Sequence, residues 1–415
     1  MTVITLTPSS DATTHIQRAT DEAHAEFKST GVKQVVWFSP GEYTLTYQGE
    51  RSRGRWPIYP CVRWRSGVVY AAHPGTVNVR RKERPDQDWS LDAPTGFFAG
   101  ARQHHLGMYG INFFGEHRNY IVSRNARPKK TKADRGYWRG GHGVGVYHSN
   151  NVTIKDCNFF NSINNLWVEW VLRAHITNVR AGGQCMNGIV LNRVGSSIID
   201  NINILPADDE ERGIPNPGYK NPTKIEHLKY NSIGMGFWYI GARCKGGYNE
   251  NVVINNVLSG GAKQEAFIIE PNSARNISIS NVAVRDSMWG MVIRKGLQNS
   301  SITNVSAQNC YRAGLLMAAF KGQFAYLRSV EAVANNVISN VVTRNCGTHR
   351  NGKDSWASIY VSRNTRDNQF SNLKATCDDE GKWAPPKGDL INIDEESNAW
   401  TRCCSNKKSN KLDKG

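Results

Sequence analysis

Apolar and polar positions alternate in short runs along the middle of the chain, and these runs recur at a regular interval. Segments such as ITNVRAGG, INNVLSGG and ITNVSAQNC share one pattern: a β-branched residue, a polar residue, Asn and an apolar residue. Where no insertion intervenes, the Asn positions are 22 to 25 residues apart. The repeated positions are Asp156, Asn178, Asn201, Asn256, Asn281, Asn304, Asn340 and Asn372. Units this short, with strand-like alternation, predict stacked coils of strands without helices.

A second column of strands precedes the Asn column. Its members are GVGVYH, NLWVEW, GIVLNR, GFWYIG, AFIIEP, GMVIRK, GLLMAA and SIYVSR. Alternation turns two apolar side chains of each strand inward, such as Ile189 and Leu191, and leaves the intervening ones outside. Strands that bury one face and recur at a fixed period are stabilised by stacking on their neighbours, which predicts an all-β parallel β-helix. A β-sandwich with Asn-rich turns is the alternative, but it would not keep two columns in phase.

The Asn column has a physical explanation in such a stack. Asn tolerates the left-handed conformation that a sharp corner requires, and stacked side-chain amides can hydrogen-bond from coil to coil. Near these corners, Cys157, Cys310, Cys346 and Cys377 are expected to be buried free thiols.

The N-terminal segment predicts a helix that caps the stack. Ile16, Ala19, Ala23 and Phe27 lie on one helical face of residues 10–30, with Ser10 or Asp11 as the helix start. Such a helix would cover the open edge of the first coil. We therefore predict one β-helix domain over residues 1–400. The domain would contain the capping helix (10–30), a basic loop (118–139) and a charged insertion (205–231), and a polar basic tail (401–415) would follow it.

The segment after the helix, VKQVVWF followed by Ser39-Pro40-Gly41 and EYTLTY, resembles the opening of the β-helix in the pectin-lyase-like superfamily. The resemblance covers roughly residues 10–380 and implies a right-handed parallel β-helix. No signal peptide is visible, and we expect a secreted or extracellular protein.

Composition and charge narrow the partners. The 12 Trp, 15 Tyr and 13 Phe residues can close a large core. The formal charge of +17 favours a polyanion: nucleic acid, anionic lipid or an acidic polysaccharide. No apolar run is long enough for a membrane span. Nucleic acid would explain the charge but not outward Trp residues on a β-helix. No cofactor is expected. Ca²⁺ is kept as an alternative without support, because the sequence contains no DxDxDG-type loop.

Outward residues of the second column form a row along the stack, with neighbours about 4.8 Å apart. The row contains Trp167, Glu169, Arg193, Trp238, Glu270, Arg294 and Lys295. Indole rings stack on sugar rings, and Arg and Lys bind sulfate or carboxylate groups. The row therefore suits an extended anionic polysaccharide, although an ion pair between Glu270 and Arg294 or solvated surface residues would also explain it.

The stretch GMGFWYI, NVVINNVLSGGAKQEAFIIEPNSARNI, GMVIRKG and SSITNVSAQNC resembles ι-carrageenases, β-helix hydrolases of a sulfated galactan. In that family a Glu of the GxxxE strand is the acid and an Asp two residues later is the base. Glu270 occupies the first position, and Asn272 stands where the Asp belongs. The family's further polar partner would fall near Tyr239 or Ile240.

The same stretch, with IIEPNSARN followed by VIRKG, is also similar to the alginate lyase and chondroitinase B family. The resemblance implies a Lys base and an Arg on the next coil. Arg294 matches the Arg, whereas Asn272 stands in place of the Lys. In a lyase, Lys295, Tyr239 or His227 would remove the C5 proton.

We predict an endo-acting glycoside hydrolase of a sulfated or uronate-containing polysaccharide. Glu270 is the expected acid, and the second carboxylate is Asp286, Glu265 or a residue of the acidic run Asp208–Glu211. Arg193, Arg294 and Lys295 would bind the anionic groups. The first alternative is a polysaccharide lyase. The second is a carbohydrate-binding β-helix of the phage tailspike or adhesin type, which would be a trimer, whereas the enzyme could be a monomer or a homo-oligomer.

Overall fold

The structure is a computed structural model that describes most of the repeat region. The described residues are 3–46, 60–82, 95–100, 102–115, 142–162, 164–183, 187–204, 236–241, 249–262, 265–271, 273–318, 333–347, 357–362, 365–377, 389–393 and 399–401. The basic loop (118–139), the charged insertion (205–231) with His227, Asn272, and the tail beyond Thr401 lie outside them. The described residues divide into two compact units: unit 1 reaches up to Asn192, and unit 2 comprises those from Arg193 onward. The single domain over residues 1–400 stays a prediction.

Unit 1 contains the helix and the first strands. Its elements are β1 (Val3–Leu6), α1 (Thr13–Thr30), β2 (Gln34–Phe38), β3 (Gly41–Leu45), β4 (Pro60–Arg63), β5 (Val68–Ala72), β6 (Val77–Arg81), β7 (Thr95–Ala99), β8 (Leu106–Tyr109), β9 (Ile111–Phe114), β10 (His142–Phe160) and β11 (Asn164–Gly182). Strand β12 (Asn187–Gly195) begins in unit 1 and ends in unit 2.

Unit 2 consists of strands alone among the described residues. They are β13 (Ser197–Ile204), β14 (Phe237–Gly241), β15 (Glu250–Gly260), β16 (Glu265–Pro271), β17 (Ala274–Arg285), β18 (Trp289–Ile293), β19 (Leu297–Gln298), β20 (Ser301–Gln308), β21 (Leu315–Met317), β22 (Val333–Ala334), β23 (Val337–Arg344), β24 (Ile359–Val361), β25 (Thr365–Arg366), β26 (Gln369–Thr376), β27 (Ile391–Ile393) and β28 (Ala399–Thr401).

Parallel pairing stacks equivalent residues of successive coils. In unit 2, Ile254, Ile279, Ile302, Ile338 and Phe370 follow one another in register and are all buried. Each inward position thus packs on the same position of the next coil, so the core is a set of columns. The predicted parallel β-helix is confirmed, and both strand columns lie where the repeat places them.

The Asn column turns the corners of the coils. The φ angles of Asp156 and of the seven Asn residues of the column lie between 49° and 56°, in the left-handed region. The side-chain amides form a ladder: Asn340 donates to Asn304 and Asn304 donates to Asn281, both at 3.0 Å. The predicted corner conformation and its coil-to-coil hydrogen bonds are confirmed.

Helix α1 is confirmed with a later start than predicted. Ile16, Ala19 and Ala23 are buried against the first strands, and Phe27 is half-buried. Neither Ser10 nor Asp11 caps the helix: Ala12 is the N-cap, and its N–H donates to Thr44 O at 2.8 Å. Strand β3 therefore fixes the start of the helix, because its Thr44 carbonyl accepts the hydrogen bond from the N-cap residue.

The cysteines near the corners are buried, as predicted. Cys157, Cys310 and Cys346 are free thiols, and Cys377 and Cys61 are also buried. Within the described ranges, no helix is long and apolar enough to cross a membrane.

Candidate functional site

Strand β16 and the end of β18 bring four charged residues together in unit 2. They are Glu265, Glu270, Arg294 and Lys295. Glu265 lies opposite Trp289, and Ile269 lies opposite Ile293. The N–H of Arg294 donates to Ile269 O at 3.0 Å, which continues the ladder one residue past β18. Glu270 therefore lies beside Arg294 in the backbone register, as the repeat predicts.

The side chains pair differently from that register. The Arg294 guanidinium bonds to Glu265 Oε1, while Lys295 Nζ lies 3.3 Å from Glu270 Oε1. The ion pair between Glu270 and Arg294, which the sequence left open as an alternative, is replaced by these two pairs, because the long Arg294 side chain reaches across the face to Glu265. The side chains of Glu265, Glu270 and Lys295 are only 3%, 6% and 7% exposed. Charges removed from water to this extent need close partners.

The two carboxyl groups differ in their surroundings. Burial raises the pKa of Glu265, Arg294 partly opposes this, and the charge of Glu270 adds to the rise. Glu265 Oε2 and Glu270 Oε1 are both buried without a hydrogen-bond partner among the described residues. The raised pKa means that Glu265 keeps its proton to a higher pH than an ordinary glutamic acid.

An apolar layer lies beside the charged residues. Ile268, Val292 and Leu316 are outward-facing residues of successive coils, yet they are buried. They belong to a cluster with Trp289, Ala313 and Ala318, against which Trp238, Met288 and Tyr360 pack. The predicted outward position of Trp238 is therefore confirmed, and its ring lies on an apolar support.

Arg312 joins this site although the sequence did not single it out. Its guanidinium carbon lies 4.9 Å from the centroid of the Trp289 ring, within the range of a cation–π contact. Its N–H donates to Met288 O at 2.8 Å, which places it one coil after Met288. Both residues lie outside the strands, so strand alternation gave no signal for them. The only sequence signal was a cation just before the GLLMAA strand.

Two predicted site residues lie elsewhere. The side chain of Tyr239 points into the coil, is fully buried, and donates its hydroxyl to Val194 O at 3.0 Å, so it cannot contact a polymer. Asp286 is a corner residue with φ of 50° whose carboxylate accepts from Asn309 Nδ2 at 3.1 Å. Asp286 is thus part of an amide ladder, and its catalytic role, one of three candidates for the second carboxylate, stays a prediction.

The remaining predicted residues divide between the units. Arg193 also occupies a left-handed corner, with φ of 56°, and is half-buried. His227 lies outside the described residues. Trp167 and Glu169 belong to unit 1, where the indole Nε1 donates to Glu169 Oε2 at 3.1 Å.

Comparison with known proteins shows the fold and no closer relationship. No protein-family model and no curated protein sequence matches the chain. A polygalacturonase from Erwinia carotovora ssp. carotovora is 12% identical, with a TM-score of 0.58 over 96% of both chains. The A-module of mannuronan C-5 epimerase AlgE4 from Azotobacter vinelandii is 13% identical, with a TM-score of 0.55 over 91% of this chain and 96% of that one.

A rhamnogalacturonan lyase is 12% identical, with a TM-score of 0.53 over 90% of this chain and 87% of that one. These structures are right-handed parallel β-helices of the pectin-lyase-like type, so the predicted fold class is confirmed. The resemblance to ι-carrageenases stays a prediction.

Proposed function

We propose that unit 2 carries the active site of a glycoside hydrolase that cleaves an acidic polysaccharide within the chain. The observation that carries the proposal is the pair of buried carboxyl groups, Glu265 and Glu270, on one outward face. Glycoside hydrolysis needs one protonated carboxyl group and one carboxylate near the scissile bond. The similar solved structures are themselves named for polysaccharide substrates.

The contacts favour distinct roles for the two groups. Glu265, whose pKa is raised by burial, would donate its proton to the glycosidic oxygen as the bond to the leaving sugar breaks. Glu270, paired with the Lys295 ammonium, would act as the carboxylate that attacks the sugar or activates a water molecule. These roles reverse the sequence prediction, in which Glu270 was the acid.

The aromatic and cationic residues support an anionic sugar polymer as substrate. Trp238, half-buried on the apolar cluster, offers a ring on which the C–H face of a sugar can stack. Arg312, held over Trp289, presents a guanidinium that suits a sulfate or carboxylate group. The formal charge of +17 would raise the local concentration of such a polymer near the protein.

The ion pairs favour hydrolysis over β-elimination. A lyase uses its cations to neutralise the uronate carboxylate, so they must face the substrate. Here Arg294 and Lys295 each face a carboxylate of the protein. The two carboxylates would compete with a uronate for the same cations.

A panel of acidic polysaccharides tests the proposal. We expect new reducing ends from at least one sulfated or uronate polymer, without the ultraviolet absorbance of an unsaturated uronate product. Glu265→Gln and Glu270→Gln should each abolish the release, whereas Glu250→Gln, a half-buried Glu on β15, should retain it. Unsaturated products would instead identify a lyase, and no products from the whole panel would contradict an enzymatic role.

A further inference from the structure

Unit 1 has an outward face of a different chemistry from that of unit 2. Strands β7, β10 and β11 pair so that Phe98, Gly145 and Trp167 lie in one row, and Tyr147 lies beside Glu169. Phe98, Tyr147 and Glu169 are half-buried, so a ligand can still reach them. Trp167 is 6% exposed.

Aromatic rings close over the glycine of this row. A Cβ atom at Gly145 would lie 3.3 Å from the Phe98 ring and 3.4 Å from both the His142 and Tyr147 rings. The ring centroids of Phe98 and Tyr147 are 5.3 Å apart, and those of His142 and Trp167 are 5.2 Å apart. The missing side chain thus lets the rings converge.

A chain of hydrogen bonds ends at the Tyr147 hydroxyl. Asn187 Nδ2 donates to Asn164 Oδ1 at 2.7 Å, which turns the Asn164 amide nitrogen toward His142 Nδ1, 3.2 Å away. His142 Nδ1 then accepts, so the ring proton is on Nε2, 3.1 Å from Tyr147 Oη. Because His142 donates to Tyr147, the hydroxyl hydrogen of Tyr147 is directed to a different acceptor.

Both titratable groups of this chain stay neutral near pH 7. Burial, with a smaller effect of Arg81, lowers the pKa of His142 to about 3. Burial and the charge of Glu169 raise the pKa of Tyr147 well above its ordinary value. Tyr147 is therefore a hydrogen-bond donor rather than a base.

We propose that Phe98, Tyr147, Trp167 and Glu169 form a second sugar-binding site that takes an uncharged, hydroxyl-rich sugar ring, with Tyr147 as its oriented donor. The half-buried Phe98 and Tyr147 rings supply stacking surface, and buried Trp167 orients the Glu169 carboxylate through its Nε1–H hydrogen bond. The Glu169 carboxylate accepts sugar hydroxyls and repels anionic groups. The site rests on the proposed function only in that its ligand is a carbohydrate.

Binding measurements with sugars of opposite charge test the site. The probes are neutral galactan, mannan and glucan oligosaccharides and an oligogalacturonate of equal length, titrated by calorimetry. We expect a neutral probe to bind and Tyr147→Phe to weaken it about 3- to 10-fold, the usual effect of one neutral hydrogen bond. Tyr109→Phe, on the half-buried β8 position of the same unit, should bind like the unsubstituted protein.

Two further variants separate a positioned donor from a general packing effect. His142→Gln should weaken the neutral probe no further once Tyr147 is already Phe, because both changes remove the same bond. Glu169→Gln should improve binding of oligogalacturonate relative to the neutral probe. Failure of every neutral probe to bind, or equal affinity in Tyr147→Phe, would overturn the proposal.

The titrations use protein that carries Glu265→Gln, so that turnover cannot consume the probe. Neutral-probe binding that depends on Tyr147 would support this site even if the unsubstituted protein released no reducing ends. Conversely, hydrolysis without such binding would support the proposed function and exclude this site.

Discussion

The outward faces of the two units use one scaffold for opposite kinds of polar chemistry. In unit 2, Glu265 and Glu270 are each buried against a cation from the next coil. In unit 1, the Glu169 carboxylate accepts from the Trp167 indole, and neutral His142 bonds to Tyr147. Both faces occupy the strand that precedes the Asn corner. The backbone of a coil therefore fixes where a site lies, while the outward side chains fix what it can do.

The largest expected effect is a loss of turnover that distinguishes the face of unit 2 from the face of unit 1. Glu270→Gln should lower turnover about 1,000-fold or more, because the amide cannot act as nucleophile or base. Binding of the polymer should change little. The measurement is initial-rate kinetics on the polysaccharide identified by the panel. Glu169→Gln serves as the matched change in unit 1, and an equal loss of turnover there would contradict the assignment of catalysis to unit 2 alone.

The next effect concerns the buried ion pair of Glu265. Arg294→Met should lower the free energy of unfolding by about 3 to 4 kcal/mol at a pH where Glu265 is ionised, because it leaves a buried carboxylate without its cation. The loss should grow as pH rises. Burial raises the pKa of folded Glu265 and Arg294 opposes that rise, so without Arg294 the folded pKa rises further and ionisation at high pH costs more stability.

Urea unfolding at several pH values measures this effect. Adding Glu265→Gln to Arg294→Met should recover much of the lost stability, since no buried charge then remains unpaired. If the double variant were as unstable as Arg294→Met alone, packing rather than charge would explain the loss.

The buried imidazole of unit 1 predicts the opposite dependence on pH. The folded pKa of His142 is about 3, and unfolded His titrates near its ordinary value of about 6.5. Its contribution to stability is therefore complete above pH of about 6.5 and is lost as pH falls toward 3. Between pH of about 7.5 and about 4.5 this corresponds to roughly 2 to 3 kcal/mol. His142→Gln should make the unfolding free energy less dependent on pH by that amount, and an unchanged profile would mean that His142 titrates normally.

Strand alternation predicted much of the scaffold and part of the site. The Asn column, the strand column and the outward direction of Trp238, Glu270 and Arg294 all follow from residue spacing. The same alternation already turned Tyr239 inward between outward Trp238 and Ile240. Its inclusion in the site followed a family resemblance rather than the pattern.

The pairing of side chains could not be predicted from spacing. Arg294 lies beside Glu270 in the register, but a long guanidinium side chain can reach several positions, and here it bonds to Glu265. Asp286 was a catalytic candidate because it is an acidic residue in the turn before the GMVIRK strand, and sequence alone does not distinguish a structural carboxylate there from a catalytic one. The hydrogen bond from Asn309 shows its ladder role, and only coordinates reveal that bond. His142 is the first residue of β10, and Arg312 lies between β20 and β21. At such positions strand alternation does not predict which way a side chain points.

The smallest expected effect tests what the two units share. Asn304 in unit 2 and Asn178 in unit 1 have φ of 56° and 53°, and each donates to the preceding coil, at 3.0 Å and 2.7 Å. Replacement by Gly removes exposed amide bonds but keeps the corner accessible, so we expect a loss of about 0.5 to 1 kcal/mol. Replacement by Ala adds the left-handed strain of a β-carbon, about 1 kcal/mol more. Urea unfolding should give the same Ala-minus-Gly difference at both sites, because the corners have one geometry although the faces beside them do not. A difference confined to one unit would mean that the corners of the two units are not equivalent.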